Sequence, residues 1–177
     1  MDAARIITPA GDFWTVIGDH NGEEAVYAAG WATDLDEIAN RIAPSLRAGH
    51  EVREHHDLGT VTNAVKRYLE GDFEAIDAIS VRQAGGPFLA QAWEALRTVP
   101  AGTTVTYKEL AAKAARPDAV RAAASACARN AAALFVPCHR VVRTGGGLGG
   151  FRWGLDVKRW LLEHENTPHS SPHDTPR

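Results

Sequence analysis

The sequence predicts an α+β fold, in which a small N-terminal domain with an antiparallel sheet and helices precedes a mostly helical C-terminal domain. Three observations support this. Strand-like segments flank an Asn-Gly pair early in the chain, helix-turn-helix spacing occurs in the second half, and a segment rich in Gly and Pro, residues 83–87, lies between them. We predict domains over 1–82 and 87–165 and a disordered tail over 166–177.

A β-hairpin opens the predicted N-terminal domain. Residues 13–18 and 25–29 are strand-like, and Asn21 and Gly22 lie between them. Because an Asn-Gly pair favours the tight turn in which both central residues take positive φ, it is a strong hairpin signal.

Helices are expected after the hairpin. Asp34 or Asp36 is placed to cap a short helix, and Thr60 or Thr62 precedes a segment with apolar residues at helical spacing. Residues 76–81 have the composition of a further strand. The apolar positions of the periodic segment are Val61, Ala64, Val65 and Tyr68.

Four helices account for most of the predicted C-terminal domain. Pro87 suits the first turn of one helix, and Thr106 with Glu109 forms a capping box that opens the next. The third helix is expected over 118–129 and the last over 155–165. Because only a short break separates the second helix from the third, this pair has helix-turn-helix form.

The two faces of the third helix differ in character. Its inward face is expected to consist of Val120, Ala123, Ala124 and Cys127. Its outer face carries small side chains bracketed by arginines, namely Arg121, Ser125, Ala128 and Arg129. Small side chains allow close approach to another surface and arginines suit phosphate groups, although an alanine-rich helix with two solvated arginines has the same pattern.

Charge is divided unevenly along the chain. The 177 residues carry a formal net charge of −3, which taken alone argues against a polyanion partner. Residues 1–89, however, hold 7 Lys and Arg against 15 Asp and Glu, whereas residues 90–165 hold 11 against 6. The second region is therefore the candidate for binding a polyanion, unless the two domains merely differ in surface charge.

Composition excludes several classes of protein. With two cysteines, Cys127 and Cys138, the chain cannot form a disulfide scaffold or a four-cysteine zinc site. No apolar run approaches the roughly 20 residues that span a bilayer, and the start of the chain lacks the pattern of a secretory signal. We therefore expect a cytoplasmic protein with free thiols, no bound metal and no membrane association.

Cys138 is the candidate nucleophile. It follows an apolar segment and lies between Pro137 and His139, with Arg140 next in the chain. A cysteine reacts as the thiolate, and a neighbouring imidazole and guanidinium offer proton acceptance and positive charge. The same dipeptide also occurs where a cysteine is only a small buried residue.

The segment VPCHRVV at 136–142 resembles the signature of the O6-alkylguanine-DNA alkyltransferases, also called methylated-DNA–protein-cysteine methyltransferases. VTYKELA at 105–111, the GLGGF–RWG loop and the KRWLLEHE helix follow the order and spacing of that family. The resemblance covers about residues 87–165. The N-terminal half is similar only in its length and its strand-plus-helix pattern.

The resemblance implies a catalytic role for four residues. Cys138 matches the thiol that accepts the alkyl group in one displacement, and His139 matches the residue that deprotonates it through a water molecule. Glu165 matches the carboxylate that orients this histidine. Asn130 matches the hinge asparagine between the helix-turn-helix and the active-site turn.

The resemblance also implies how the substrate is bound. Arg121 matches the arginine finger that fills the gap left by an extruded base, and Tyr107 matches the tyrosine that rotates the nucleotide. Further DNA contacts are expected from Thr106, Ser125, Arg129 and Arg140. The base pocket is expected to be lined by Tyr107, Cys127, Phe151, Arg152 and Trp153.

The implied function is DNA repair in a single turnover, in which O6-alkylguanine, chiefly O6-methylguanine, is flipped out of the duplex and loses its alkyl group to Cys138. The implied partner is double-stranded DNA. A helix face of small residues suits the minor groove, which is only about 6 Å wide. We expect a monomer that uses no cofactor.

Some positions depart from the common pattern of the family. Ala124 and Ser125 stand where glycines are frequent, and Phe151 replaces a common tyrosine. Trp153 stands where many members carry a small residue. We expect Trp153 to narrow the pocket and to favour methyl over benzyl adducts.

Three other functions are compatible with some of these motifs. A lesion sensor of the alkyltransferase-like type lacks the cysteine, so the presence of Cys138 argues against it. A sequence-specific transcription factor needs side chains that read base edges, which Ser125 and Ala128 do not provide. A cysteine hydrolase needs an oxyanion hole and turns over repeatedly.

Overall fold

The computed structural model describes residues 1–167 and confirms the α+β class. A four-stranded sheet forms the N-terminal part, and its strands are β1 (Asp2–Thr8), β2 (Gly11–His20), β3 (Glu23–Trp31) and β4 (Arg53–Glu54). They lie in the order β3-β2-β1-β4. The first three strands are antiparallel, as expected, whereas the short β4 pairs in parallel with β1 at one edge.

The predicted hairpin between β2 and β3 is confirmed. Asn21 and Gly22 have φ values of 56° and 82°, both in the left-handed region that a tight two-residue turn requires. The Asp19 carboxylate also accepts a hydrogen bond from the Gly22 amide at 3.1 Å. Local chemistry therefore sets the connection between these two strands.

Three helices follow the hairpin, namely α1 (Leu35–Ala39), α2 (Pro44–Arg47) and α3 (Thr60–Leu69). Asp34, and not Asp36, caps α1, because its side chain accepts a hydrogen bond from the Glu37 amide at 3.1 Å. Helix α3 buries the four apolar residues that its spacing predicted. Gly59 occupies its cap position, and Thr60 is already helical.

The strand expected over 76–81 is wrong. Phe73–Ile76 is a short 3₁₀ helix, and Val81 forms only a single parallel bridge with Val26. Ile76 and Ile79 are both buried, which is the i, i+3 spacing of a helical turn. A strand would direct these two side chains to opposite faces.

The C-terminal part contains α4 (Pro87–Arg97), α5 (Tyr107–Lys113), α6 (Val120–Arg129) and α7 (Leu155–Asn166). Two short strands, β5 (Val105–Thr106) and β6 (Val141–Val142), pair in parallel. This pair had no signal in the sequence. It places the start of α5 beside the residues that directly follow the turn Cys138–Arg140.

Helices α5 and α6 form the predicted helix-turn-helix. Thr106 caps α5, since its hydroxyl accepts a hydrogen bond from the Glu109 amide at 3.1 Å. Helix α6 begins at Val120, two residues later than the expected start at Asp118.

The expected inward face of α6 is partly wrong. Ala123 and Ala126 are fully buried, whereas Ala124 is exposed and Val120 is 38% exposed. The Ala126 carbonyl accepts a hydrogen bond from Trp93 Nε1 at 3.0 Å, and the two buried alanines allow α6 to pack closely against α4 and α5. Helix α6 is therefore rotated so that Ala124 lies on the open side.

One hydrophobic core joins the two parts of the chain. It contains Phe13 and Val65 from the N-terminal part together with Leu110 and Phe135 from the C-terminal part. The division into domains over 1–82 and 87–165 stays a prediction.

The structure differs from the prediction at the start of the expected tail. Asn166 is the last residue of α7, although the tail was expected to begin there, and residues 168–177 lie outside the described residues. Within residues 1–167, no helix has the length and apolar character needed to cross a membrane.

Candidate active site

A cavity of about 460 Å³ opens beside the helix-turn-helix. All five residues that were expected to form a base pocket line it, namely Tyr107, Cys127, Phe151, Arg152 and Trp153. Ala124, Ala128, Asn130, Cys138 and Gly150 also line it. The start of α5, one face of α6, the candidate nucleophile and the loop before α7 therefore meet around one space.

The Cys138 thiol lies in a buried part of this lining. The residue is 7% exposed and begins the 3₁₀ turn Cys138–Arg140. Asn130, which directly follows α6, donates hydrogen bonds from Nδ2 to Cys138 Sγ at 3.3 Å and to the Val136 carbonyl at 2.8 Å. Asn130 therefore connects the helix-turn-helix to the turn that carries the thiol.

Gln83, which lies between the two parts of the chain, determines how the Asn130 amide is oriented. The Ala131 amide donates to Gln83 Oε1 at 2.8 Å, so Gln83 Nε2 faces Asn130 Oδ1, at 2.9 Å. The Ala132 amide donates to the same Oδ1 at 3.0 Å. Because Oδ1 accepts both bonds, Nδ2 must face the thiol. No sequence pattern pointed to Gln83.

Burial raises the pKa of the Cys138 thiol. The hydrogen bond from Asn130 and the positive charges of Lys158 and Arg41 oppose this rise only in part. The thiol is therefore protonated near neutral pH, and a base is needed to produce the thiolate.

His139 and Glu165 form a buried pair in which Nε2 lies 2.7 Å from Oε1, and neither side chain is more than 1% exposed. Burial favours a higher pKa for Glu165, but His139 and Arg140 hold it below its usual range. The ionised carboxylate can only accept, so Nε2 carries the proton. Burial lowers the pKa of His139. Its basic nitrogen is thus Nδ1, which is buried and has no hydrogen-bond partner among residues 1–167.

Arg140 does not lie on a DNA-facing surface, so this part of the sequence prediction is wrong. The residue is 3% exposed, and its guanidinium donates to both carboxylate oxygens of Glu165, at 3.0 Å from Nε and 2.8 Å from Nη2. Nη1 donates to the Val99 carbonyl at 2.8 Å. A buried carboxylate requires such partners, and Arg140 is next to the histidine that needs the carboxylate.

Lys158 is a second buried cation, and sequence reasoning did not identify it. Its ammonium group donates to the carbonyls of Val141 at 2.6 Å, of Leu148, and of Gly150 at 3.3 Å. These hydrogen bonds stabilise the loop that leads to the cavity wall. Because the acceptors are backbone carbonyls, no residue pattern marks them in advance.

Arg41 reaches the site from the N-terminal part of the chain. Its Nη2 donates to the carbonyls of Ala128 and Asn130, both at 3.2 Å, and its guanidinium carbon lies 5.7 Å from the centre of the Trp153 ring. Burial, together with the nearby charge of Arg152, lowers the pKa of Arg41 to about 10. The negative end of α6 is thus paired with a cation from the other part of the chain.

The outer face of α6 is exposed, as predicted, at Arg121, Ser125 and Arg129. Thr106 is half-buried, and its hydroxyl caps α5. Ala124 and Ala128 belong to the same open side and line the cavity. The helix-turn-helix surface and the cavity mouth are therefore continuous.

The C-terminal part matches a family model described as "6-O-methylguanine DNA methyltransferase, DNA binding domain" over residues 87–167. The chain is 32% identical over 161 residues to the methylated-DNA–protein-cysteine methyltransferase of Salmonella typhimurium, and this match covers 91% of this chain and 93% of that protein. It is 54% identical over 81 residues to the bifunctional transcriptional activator/DNA repair enzyme Ada of Escherichia coli, and this match covers 46% of this chain and 23% of that protein.

Solved structures extend this similarity to the fold. The chain is similar to Mycobacterium tuberculosis OGT in complex with DNA, with a TM-score of 0.72, 26% identity and coverage of 93% of both chains. It is also similar to the O6-methylguanine methyltransferase of the same organism, with a TM-score of 0.73, 25% identity and coverage of 96% of both chains. Because sequence and fold agree along nearly the whole length, this chain belongs to the methylated-DNA–protein-cysteine methyltransferase family.

Proposed function

We propose that this protein repairs DNA by removing the alkyl group from O6-alkylguanine, chiefly O6-methylguanine, and transferring it irreversibly to Cys138 in a single turnover. One observation carries the proposal: a buried thiol lines a cavity whose mouth is continuous with the exposed face of a helix-turn-helix. The name of the Salmonella relative, a methylated-DNA–protein-cysteine methyltransferase, supports the same reaction.

Activation of the thiol begins at Glu165. Its carboxylate accepts the Nε2 proton of His139, which leaves Nδ1 able to take up another proton. Since no direct hydrogen bond joins His139 to Cys138 in the described part of the chain, a water molecule carries the proton from Sγ to Nδ1. Asn130 then stabilises the thiolate through its Nδ2 donor at 3.3 Å.

Alkyl transfer is a single displacement at the alkyl carbon. The electron pair of the thiolate forms the S–C bond while the C–O6 bond breaks, and the O6 electron pair stays with guanine. Guanine takes up a proton from water and becomes the unmodified base, and His139 returns the thiol proton to water, so the protons balance. The product is a stable thioether, so each protein molecule reacts once.

The target base must leave the duplex, because the O6 atom of a paired guanine faces its partner base. Arg121, on the exposed face of α6, fills the space that the base vacates, and Tyr107, at the cavity, drives rotation of its phosphate. The small side chains of this face suit the minor groove. Thr106, Ser125 and Arg129 contact the DNA backbone, which allows binding at any sequence.

The protein acts as a monomer, in the cytoplasm and without a cofactor. Nucleophile, base and orienting carboxylate come from one chain, so the site is complete within a single molecule.

Intact-mass measurement after incubation with a duplex that contains a single O6-methylguanine tests the function. We expect the wild-type protein to gain one methyl group and the Cys138→Ser variant to gain none. Cys127→Ser is the matched control for the other thiol of the cavity, and it still ends with the methyl group on Cys138. A wild-type protein that remains unmodified, or a methyl group mapped to Cys127, contradicts the proposal.

A further inference from the structure

Tyr68 is a buried residue of α3 that contacts the active site from the N-terminal part of the chain. Its hydroxyl donates a hydrogen bond to Glu165 Oε1 at 2.7 Å, across 97 positions of sequence. The residue is 0% exposed. The mechanism proposed above assigns it no role.

Three donors converge on Glu165 Oε1. Tyr68 Oη and His139 Nε2 each lie 2.7 Å away, and Arg140 Nη2 lies at 2.8 Å. Oε2 accepts from Arg140 Nε at 3.0 Å. Four hydrogen bonds, three of them to Oε1 and one to Oε2, hold the carboxylate in one orientation.

Tyr68 is itself held by its neighbours. Its ring lies 5.3 Å from the ring of Phe73 and 5.6 Å from that of His164, in both cases edge to face. His164 Nε2 also lies 3.1 Å from the Tyr68 carbonyl oxygen. Burial raises the pKa of Tyr68 well above its usual value, so the phenol keeps its proton near neutral pH.

We propose that Tyr68 is a positioning residue for alkyl transfer, which holds Glu165 so that the carboxylate orients His139 while His139 remains neutral. The inference rests on the proposed function. A hydroxyl that shares Oε1 with His139 disperses the negative charge of the carboxylate and weakens its attraction for an imidazolium. His139 therefore stays ready to accept the proton of Cys138, and the N-terminal part belongs to the transfer site.

The charged groups around His139 determine the direction of the effect. Glu165 and Lys158 come from α7, and Arg140 comes from the turn that carries Cys138. Glu165 favours protonation of His139, whereas burial, Arg140 and Lys158 oppose it. Asp77, which follows the helix Phe73–Ile76, interacts with Arg140 from the N-terminal side. Loss of the Tyr68 hydroxyl strengthens Glu165 alone, so His139 becomes more basic.

The pH dependence of the Tyr68→Phe protein tests this inference. Single-turnover transfer from duplex O6-methylguanine is measured from acidic to alkaline pH, and the His139 ring is titrated by NMR. We expect the acid limb of the rate profile and the His139 titration to move upward by about 0.5 pH unit, because one hydrogen bond to the carboxylate is lost. The plateau rate changes by less than about twofold.

Tyr27→Phe is the matched control. Its hydroxyl donates to the Asp19 carbonyl at 2.8 Å within the N-terminal sheet, so its loss leaves both curves unchanged. A Tyr68→Phe protein with lower thermal stability but unshifted curves overturns the proposal, because a purely structural residue does not alter the basicity of His139. A downward shift overturns it as well.

A second substitution keeps the proposal testable if Tyr68→Phe does not fold. Site-specific replacement of Tyr68 by 3-fluorotyrosine gives a stronger donor of nearly the same shape, and both curves must then move downward. An unchanged or upward shift overturns the proposal. The NMR titration needs no alkyl transfer, so failure of this inference is distinguishable from failure of the proposed function.

Discussion

The two parts of this protein differ in charge and in the chemistry that they carry. Residues 1–89 hold 15 acidic against 7 basic side chains and contain the four-stranded sheet. Residues 90–165 hold 6 acidic against 11 basic side chains and contain the thiol, the helix-turn-helix and every residue that lines the cavity. The family model covers 87–167, which is the same part.

The acidic part nevertheless contacts the supports of the site. Tyr68 donates to Glu165, Arg41 donates to the carbonyl of Asn130, and Gln83, between the two parts, donates to the Asn130 side chain. A region without a reacting group can therefore hold the groups of the site in place, because orientation requires only a rigid contact. The candidate reacting groups lie in the basic part, whereas the groups that hold them come from both parts.

The largest effect is expected within the C-terminal part, at Lys158. Lys158→Met removes the donor to three backbone carbonyls, and an unsatisfied buried acceptor costs about 1–3 kcal/mol. We expect the free energy of unfolding to fall by about 3 kcal/mol in urea titrations. Lys113→Met, on the exposed side of α5, is the control and changes it by less than about 0.5 kcal/mol. Equal losses in the two variants would show that the loop does not depend on Lys158.

A smaller effect is expected where the two parts meet, at Arg41. Arg41→Leu removes two hydrogen bonds to the end of α6 and the contact with the Trp153 ring, so we expect a loss of about 1.5 kcal/mol. Urea unfolding, followed by tryptophan fluorescence, measures it. Arg47→Leu is the control, because its guanidinium donates a hydrogen bond to the surface residue Asn40. If Arg41→Leu leaves the urea midpoint unchanged, Arg41 does not stabilise the contact between the two parts.

The smallest effect concerns the size of the adduct. Trp153 lines the cavity and packs on Gly30 of β3, where a β-carbon would overlap the indole ring. We expect wild-type protein to prefer methyl over benzyl adducts, and Trp153→Ala to raise benzyl transfer by about tenfold. Competition between the two modified oligonucleotides, read by intact mass, gives the ratio. Trp160→Ala, whose ring stacks on His164 away from the cavity lining, is the control.

Fast reaction of the wild-type protein with benzyl adducts would contradict the narrowing assigned to Trp153. It would also mean that contact with Gly30, in the N-terminal part, does not set the width of the cavity.

Local patterns predicted most elements of the fold correctly. The Asn21-Gly22 turn, the Asp34 cap and the pairing of Thr106 with Glu109 each depend on atoms within four positions of one another. Such contacts form in any tertiary setting that leaves the segment intact, so residue identity predicts them. The prediction of a strand over 76–81 was wrong because the composition of this segment is compatible with both a strand and a helical turn.

The thiol, its asparagine and the five pocket residues were likewise predictable, because their identities and spacing match a family motif. The contacts that hold these residues in place were not predictable. The rotation of α6 and the burial of Arg140 depend on which surfaces pack against each other. No property of an isolated segment expresses that choice.

Residue identity alone therefore specified what can react: a cysteine beside a histidine, at a set distance from an asparagine and a carboxylate. Folding selected what holds these groups. Glu165 lies 97 positions from Tyr68, and Asn130 lies 89 positions from Arg41. A buried carboxylate must find donors, but many side chains satisfy that need. Only the packing of the acidic part against the basic part brings Tyr68 to Glu165 and Arg41 to Asn130.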